Sequence, residues 1–195
     1  MGLADCKPCQ VLMEARLKLS KINNSPPIDA TLYRSIIGSL RYLVNTRPDL
    51  AYSVGFVSNY MKAPITAHMA AVKQILRYVK DTINYGCYYT HKKDSGLKLI
   101  GYSDSDFACD INDRKSITGV SYFLRDNPIT WVSQKQKVVA LSSCEAEYMA
   151  RTAGVCQGVW LARLLSEMQW KKQDSVVLKI DNKFAIAITN KPNSS

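Results

Sequence analysis

The stretch Leu97-Lys-Leu-Ile-Gly-Tyr-Ser-Asp-Ser-Asp106 decides the fold. Apolar and polar residues begin to alternate here, the period of a strand with one buried face, whereas the chain before Tyr85-Gly86 has helical spacing. A strand is expected over Leu97–Ser103. Alternation sends Asp104 to one side and Ser105 to the other, and Asp106 is expected in the turn that follows.

Downstream, Thr118 to Leu124 and Ile129 to Ser133 read as two more strands joined by the turn Arg125-Asp-Asn-Pro128. Tyr122, Phe123 and Trp131 supply the bulky residues that strands favour. A long helix from about Ser143 to Met168 follows, then the strand Val176–Ile180 and the start of another helix from Lys183. Three strands, a helix, a strand and a helix give an α/β fold, with a mixed sheet built from antiparallel neighbours and one parallel addition.

Upstream, residues 1 to 29 carry Pro8, Pro26, Pro27 and Asn23-Asn24-Ser25 and read as an extended lead-in. Three helices are expected next. The first, about residues 31 to 45, aligns Ile36, Ile37, Leu40, Leu43 and Val44. The second begins at Pro48, where a missing N–H costs nothing, and aligns Leu50, Val54, Val57 and Met61. Thr66 is expected to cap the third, which turns Met69, Val72, Ile75, Leu76 and Val79 inward and Lys73, Arg77 and Lys80 outward. The change of period divides the chain into a helical segment, 1–84, and an α/β domain, 85–195.

The net charge of +10 favours a polyanionic partner, because each neutralised phosphate releases counterions. No apolar run is long enough to span a bilayer, so no membrane partner is expected. Cys6, Cys9, Cys87, Cys109, Cys144 and Cys156 are scattered, and no secretory apolar region precedes them. That pattern fits free thiols in a reducing, intracellular compartment rather than a secreted disulfide scaffold. Cys6-Lys-Pro-Cys9 has metal-ligand spacing, but it lacks a second pair, and His68 and His91 stand alone.

Three carboxylates carry the chemical argument. In Ser142-Ser-Cys-Glu145 the spacing is that of a capping box, which gives Glu145 a structural duty. Glu147 shares a helix face with Ala150, Gly154 and Leu161, a stripe expected to continue through Leu164, Leu165 and Met168. A carboxylate on such a face is costly unless it is paired or ligates a metal. Asp181 directly follows the apolar strand Val176–Ile180, at the carboxyl end where open α/β sheets collect ligands. Asp104, Glu147 and Asp181 at one sheet edge would suit a two-metal centre, with ions roughly 4 Å apart activating water and stabilising the leaving oxygen. Mg2+ is the expected ion and Mn2+ the alternative, since oxygen ligands suffice.

Four blocks in order then closely resemble the ribonuclease H domain of copia-type LTR retrotransposon Pol polyproteins. They are Gly101-Tyr-Ser-Asp-Ser-Asp-Phe-Ala108, Asp113-Arg-Lys-Ser-Ile-Thr-Gly119, Val139-Ala-Leu-Ser-Ser-Cys-Glu-Ala-Glu-Tyr-Met-Ala150 and Ile180-Asp-Asn182. Tyr33-Arg-Ser-Ile-Ile-Gly-Ser-Leu-Arg-Tyr-Leu43, Thr46-Arg-Pro-Asp49 and Ile75-Leu-Arg-Tyr78 are similar to the helical connection or thumb-like segment after the family's reverse transcriptase. The resemblance implies a ribonuclease H-like mixed sheet with flanking helices, C-terminally incomplete and preceded by a small helical segment.

It also implies Mg2+-dependent hydrolysis of the RNA strand of RNA/DNA hybrids, with no small-molecule cofactor. Asp104, Glu147 and Asp181 match the family's metal-binding carboxylates, with Asp106 in a lesser place. Arg114, Lys115, Gln134, Lys135 and Lys137 are expected substrate contacts by charge and polarity, and Ser142, Ser143 and Asn182 by adjacency to the acids. Hybrid recognition would rest on backbone shape and 2′-hydroxyls. Implied partners are the hybrid and the rest of a Pol polyprotein, in a cytoplasmic virus-like particle or the nucleus.

The lack of a Tyr-x-Asp-Asp motif excludes polymerase chemistry for this chain alone. Competing expectations are a catalytically silent nucleic-acid-binding remnant and a non-functional or purely interacting fragment. An integrase also uses three acids, but its helical Glu usually comes last, whereas Glu147 is the second of three here.

Overall fold

Asp29 starts the first helix by accepting the Thr31 backbone N–H on its carboxylate at 2.8 Å. The computed structural model in which this is seen describes residues 7, 9–14, 17, 19–20, 25–91, 97–169 and 176–180. It divides the chain into two compact units, Met1–Cys87 and Tyr88–Ser195.

In the first unit α1 (Ala30–Val44) buries Tyr33, Ile37 and Leu40, while Ile36, Leu43 and Val44 are half-buried. A single 3-10 turn, Pro48–Leu50, leads into α2 (Ala51–Ser58), and α3 spans Thr66–Asp81. The expected cap of α3 moves back one residue. Thr66 is already helical and directs its N–H and hydroxyl to the Pro26 carbonyl. His68 instead accepts the Ile65 N–H on Nδ1 at 3.2 Å. Nε2 of His68 therefore carries the ring proton and donates it to the Ser20 carbonyl at 3.0 Å. The fully buried ring stacks on Tyr60, with centroids 3.9 Å apart.

Arg47, also buried, is the other polar hub of this unit. Its guanidinium forks onto Asp49 at 2.9 and 2.7 Å and reaches the Thr82 carbonyl and hydroxyl at 2.8 and 2.7 Å. The Tyr33 hydroxyl donates to the Val57 carbonyl, and the Tyr60 hydroxyl to the Leu19 carbonyl. Tyr33 lies outside the stripe read from the sequence, because its apolar ring and single polar tip are both satisfied inside.

The second unit is α/β. Strands β1 (Leu99–Asp106), β2 (Ile117–Leu124), β3 (Asn127–Lys135) and β4 (Val176–Ile180) form one mixed sheet in the order β3-β2-β1-β4, and α4 (Ser143–Gln169) packs on it. β1 runs antiparallel to β2 and parallel to β4. The architecture is compatible with a ribonuclease H-like fold. β1 extends three residues beyond the strand expected, so Asp106 belongs to the ladder, opposite Ile117, and not to the turn. The β2–β3 turn is tight, with Arg125 at φ 59° and Pro128 accommodated in an edge strand beside a register shift.

The core of this unit gathers Leu99, Val120, Tyr122, Leu161 and Leu165. The Tyr122 ring occupies space that only glycines leave: a Cβ at Gly101 would lie 2.4 Å from the ring, and one at Gly158 2.4 Å from its hydroxyl. That hydroxyl donates to the Gly154 carbonyl at 2.8 Å. Burying the ring contributes roughly 2 kcal/mol. The sheet-facing stripe of α4 follows 3.6-residue geometry through Glu147, Ala150, Gly154, Gly158, Leu161 and Leu165. Leu164 and Met168 are not on it, being 39% and 70% exposed, because they sit about 100° and 60° around the helix from Leu165's direction.

Candidate active site

The acidic end of β1 lies in a crevice of the sheet. β1 and β4 are adjacent and parallel, while the intervening β2 and β3 lie on the other side of β1, so the gap between their carboxyl ends is the switch point of the topology. Among the described residues their pairing runs as far as Ser103 and Ile180, and Asp104 is the next residue of β1. Asp181 and Asn182 lie outside the described residues, as does the helix expected from Lys183; Asp181 directly follows Ile180 in sequence.

Asp104 is exposed and accepts the Ser105 N–H on its carboxylate at 2.8 Å. Gly101 and Ser103 face α4, so alternation sends Asp104 out on the opposite face, with Tyr102. Glu147 is in the second turn of α4 and only 9% exposed. It lies at the same end of the sheet as Asp104. Gln136 donates from its side-chain nitrogen to the Ala146 carbonyl at 2.9 Å and to the Thr118 hydroxyl at 3.0 Å, and Thr118 pairs across the ladder with Ser105. Asp106 is exposed and near the Cys109 thiol, which burial first, and then Asp106 and Asp110, push up to about 11. Cys109 therefore stays a neutral thiol and is a poor metal ligand or nucleophile.

Among the described residues no three His, Cys, Asp or Glu side chains gather closely enough to hold a metal ion, and Asp181 is not among those residues. Asp104 and Glu147 offer only oxygen donors, the chemistry that Mg2+ and Mn2+ take, but from opposite faces of the sheet at its acidic end. Beside it, the buried hydroxyl of Ser105 and the side-chain carbonyl of Gln136 have no hydrogen-bond partner among the described residues. Unmet buried polar atoms at a site of oxygen donors are compatible with such an ion.

The loop after β1 is held by a buried anchor that sequence reading passed over. Asp110 accepts the Asn112 N–H at 2.8 Å and forms an ion pair with Lys135, which also pairs with Asp113 at 2.9 Å. Burial alone would raise the Asp110 carboxyl, but hydrogen bonds from Lys135 and Asn112 hold it below the ordinary value. The Asp-x-Asn-Asp run is the signal available in sequence, since such side chains fold back on nearby backbone. Of the expected substrate contacts, Lys135 is thus engaged in the protein itself. Arg114 is exposed at the top of this loop with φ 56°, and Lys115 is half-buried. Ser142 accepts the Glu145 N–H at 3.1 Å as the cap of α4, and Glu145 reaches past it to the Leu141 N–H. Ser143 is exposed as the first residue of α4. Gln134 and Lys137 are exposed on a groove of about 550 Å³ between α4 and the β2–β3 pair, which Val120, Val132, Met149 and Cys156 also line.

The chain is 40% identical over 183 residues, 93% of its length, to the retrovirus-related Pol polyprotein from transposon RE1 of Arabidopsis thaliana. It is 39% identical over 183 residues, 90% of its length, to the corresponding polyprotein from transposon TNT 1-94 of Nicotiana tabacum. The chain is a homologue of a segment of the copia-type, retrovirus-related Pol polyproteins. It spans only 12% and 14% of those two proteins. A secreted RxLR effector protein of Plasmopara viticola is 43% identical over 130 residues, which are 66% of this chain and 90% of that protein. No protein-family model and no solved structure matches the chain. Among the described residues no helix is long and apolar enough to cross a membrane.

Proposed function

We propose that this Pol-derived chain is a ribonuclease H module that hydrolyses the RNA strand of RNA/DNA hybrids. What supports the reading is that Asp104 and the buried Glu147 lie toward the end of the sheet where β4 runs parallel to β1 as far as Ile180, the residue before Asp181 in sequence. Asp104, Glu147 and Asp181 would hold Mg2+ or Mn2+, with Asp106 in a lesser place. When bound, the metal activates water and stabilises the leaving oxygen. Arg114, on a loop that Asp110 and Lys135 fasten, would meet phosphate, and Gln134, Lys137, Ser143 and Asn182 would extend the contact. Lys115, whose bond to Asp113 is made by its backbone N–H, would offer its ammonium, Ser142 would act through a hydroxyl already committed to the α4 cap, and Lys135 only by giving up an ion pair.

The partners proposed are the hybrid and the remainder of a Pol polyprotein. The compartment proposed is intracellular, a cytoplasmic virus-like particle or the nucleus, which suits the free thiols of Cys9, Cys87, Cys109, Cys144 and Cys156. One observation favours a second reading, hybrid binding without cleavage: Asp104 leaves the sheet on the face away from α4 and Glu147.

Mg2+-dependent cleavage of a labelled hybrid separates the two. The parent is expected to cut. Asp104→Asn is expected to lose cleavage while hybrid affinity stays within about threefold, since the basic surface is untouched. A variant that cuts as fast as the parent would remove Asp104 from the site, and a folded parent that binds without cutting establishes the second reading.

A further inference from the structure

α4 lies over β1, β2 and β4, and its packing thins before it reaches the edge strand β3. The α4 side of β3 is therefore one wall of the groove of about 550 Å³, and Val132 stands in it 45% exposed. Val120 of β2 lines it beside Val132, and Met149, Ala153 and Cys156 line it from the helix. Ala153 and Cys156 are small, which keeps the slot open. Exposed apolar walls of this kind mark binding grooves, and the volume lies in the range of about 300–1,000 Å³ that takes a small molecule.

The groove is also one-sided in charge. Two lysines line it and no acid does. Lys135 is spent on Asp110 and Asp113, which leaves Lys137, exposed in the bend after β3, as the cation able to meet a ligand. That end of the groove is held in place, because the Gln136 side chain donates to the Thr118 hydroxyl and to the Ala146 carbonyl and so ties the end of β3 to β2 and α4.

We propose that this groove binds a flat aromatic carboxylate, its ring between α4 and the β2–β3 pair and its carboxylate at Lys137. A slot between a helix and a sheet suits a planar body, and the Met149 thioether favours an aromatic ring over an alkyl chain. A nucleobase fits the valine walls less well, since its ring donors and acceptors would lose water without gaining partners there. Such a site needs neither metal nor cleavage, and it lies on the face of the sheet opposite the one to which Asp104 turns. Lys137 is shared with the proposed hybrid contact, so the test is made without nucleic acid.

Calorimetric titration of the 195-residue chain with 2-naphthoate and with its neutral isostere 2-naphthamide tests the proposal. The parent is expected to bind the acid with a Kd below about 1 mM and the amide about threefold more weakly, the size of one exposed ion pair. Lys137→Gln is expected to remove that threefold difference and leave the amide unchanged. Ala153→Trp, at an exposed helix position that tolerates a larger side chain, fills the slot and is expected to abolish both. A second readout needs no variant. Saturating 2-naphthoate is expected to slow alkylation by iodoacetamide at Cys156, in the groove, and not at Cys144, outside it, as mapped by mass spectrometry. A folded parent that binds neither compound below 1 mM, or binds them without protecting Cys156, overturns the site. Equal affinity of the parent for acid and amide overturns the anionic head, and displacement of naphthoate by AMP at lower concentration than by the amide overturns the ligand class.

Discussion

The two units treat their buried polar groups differently. In the helical unit Arg47, His68, Tyr33 and Tyr60 each reach a partner across many residues of sequence, and each contact ties one helix or lead-in segment to another. In the sheet unit Ser103, Ser105 and Gln136 keep buried atoms with no partner among the described residues, and all three lie toward the acidic end of β1. Satisfied polar networks specify a fold. Unsatisfied ones mark where a local rule is broken, and Ser105 and Gln136 lie toward the same end of the sheet as the carboxylates.

The sharpest way to break the comparison is to remove the helical unit's hub. Arg47→Met should cost about 3 kcal/mol, because it removes the counter-charge of Asp49, leaving it only the Tyr78 hydroxyl, and takes a charged donor from Thr82 at the same time. Hydrogen exchange should show lost protection across α1 and α3 while β1 to β3 keep theirs. Equal loss in both units would mean that they do not differ in what holds them. Packing rather than polar contact should dominate the sheet unit. Gly158→Ala is expected to destabilise it by about 2 kcal/mol, since the new methyl overlaps the Tyr122 hydroxyl. Urea unfolding followed by tryptophan fluorescence reads this unit, because all three tryptophans, Trp131, Trp160 and Trp170, fall within its residue range. A midpoint unmoved by the substitution would show that the ring has room to shift.

Acid gives a smaller effect and separates the units by pH window. Burial is the main cause that lowers the His68 pKa, outweighing the bond to Ser20. The unfolded chain therefore takes up a proton near pH 6.5 that the folded one refuses, so this contribution is complete above that value and declines as pH falls through it. Asp110 in the sheet unit has a lowered pKa, and its contribution is lost only as pH falls below the ordinary 3.8. Between pH 6.5 and 5, exchange at the start of α3 should quicken while the 107–116 loop stays protected. The opposite order would reverse the assignment of these groups.

Much of this was legible in the sequence. The order of helices and strands follows from a change of period, and Val176–Ile180 and Ser143 as the start of α4 follow from local pattern. What escaped depends on partners distant along the chain. Asp106 reads as a turn residue until Ile117 pairs with it. His68 reads as a lone histidine until its two nitrogens find Ile65 and Ser20. Lys135 reads as a free cation until Asp110, 25 residues away, takes its charge. The carboxylates Asp104 and Glu147 were legible as residues worth attention because each sits badly in its local element. Their opposed faces were not, since which face of β1 meets the helix is settled by Gly101, Gly154 and Gly158.

Those glycines have a consequence beyond packing. Tyr122 stands between strand and helix like a dowel, seated in one hole at Gly101 and another at Gly158. Gly158 lies 11 residues, about 16 Å along a stiff rod, from Glu147. A slip of α4 by one turn would carry that carboxylate about 5.4 Å along the sheet, farther than a metal ligand can follow. The alignment of the acidic end is therefore gauged from the opposite end of the core, and substitutions there could detune the site without touching it.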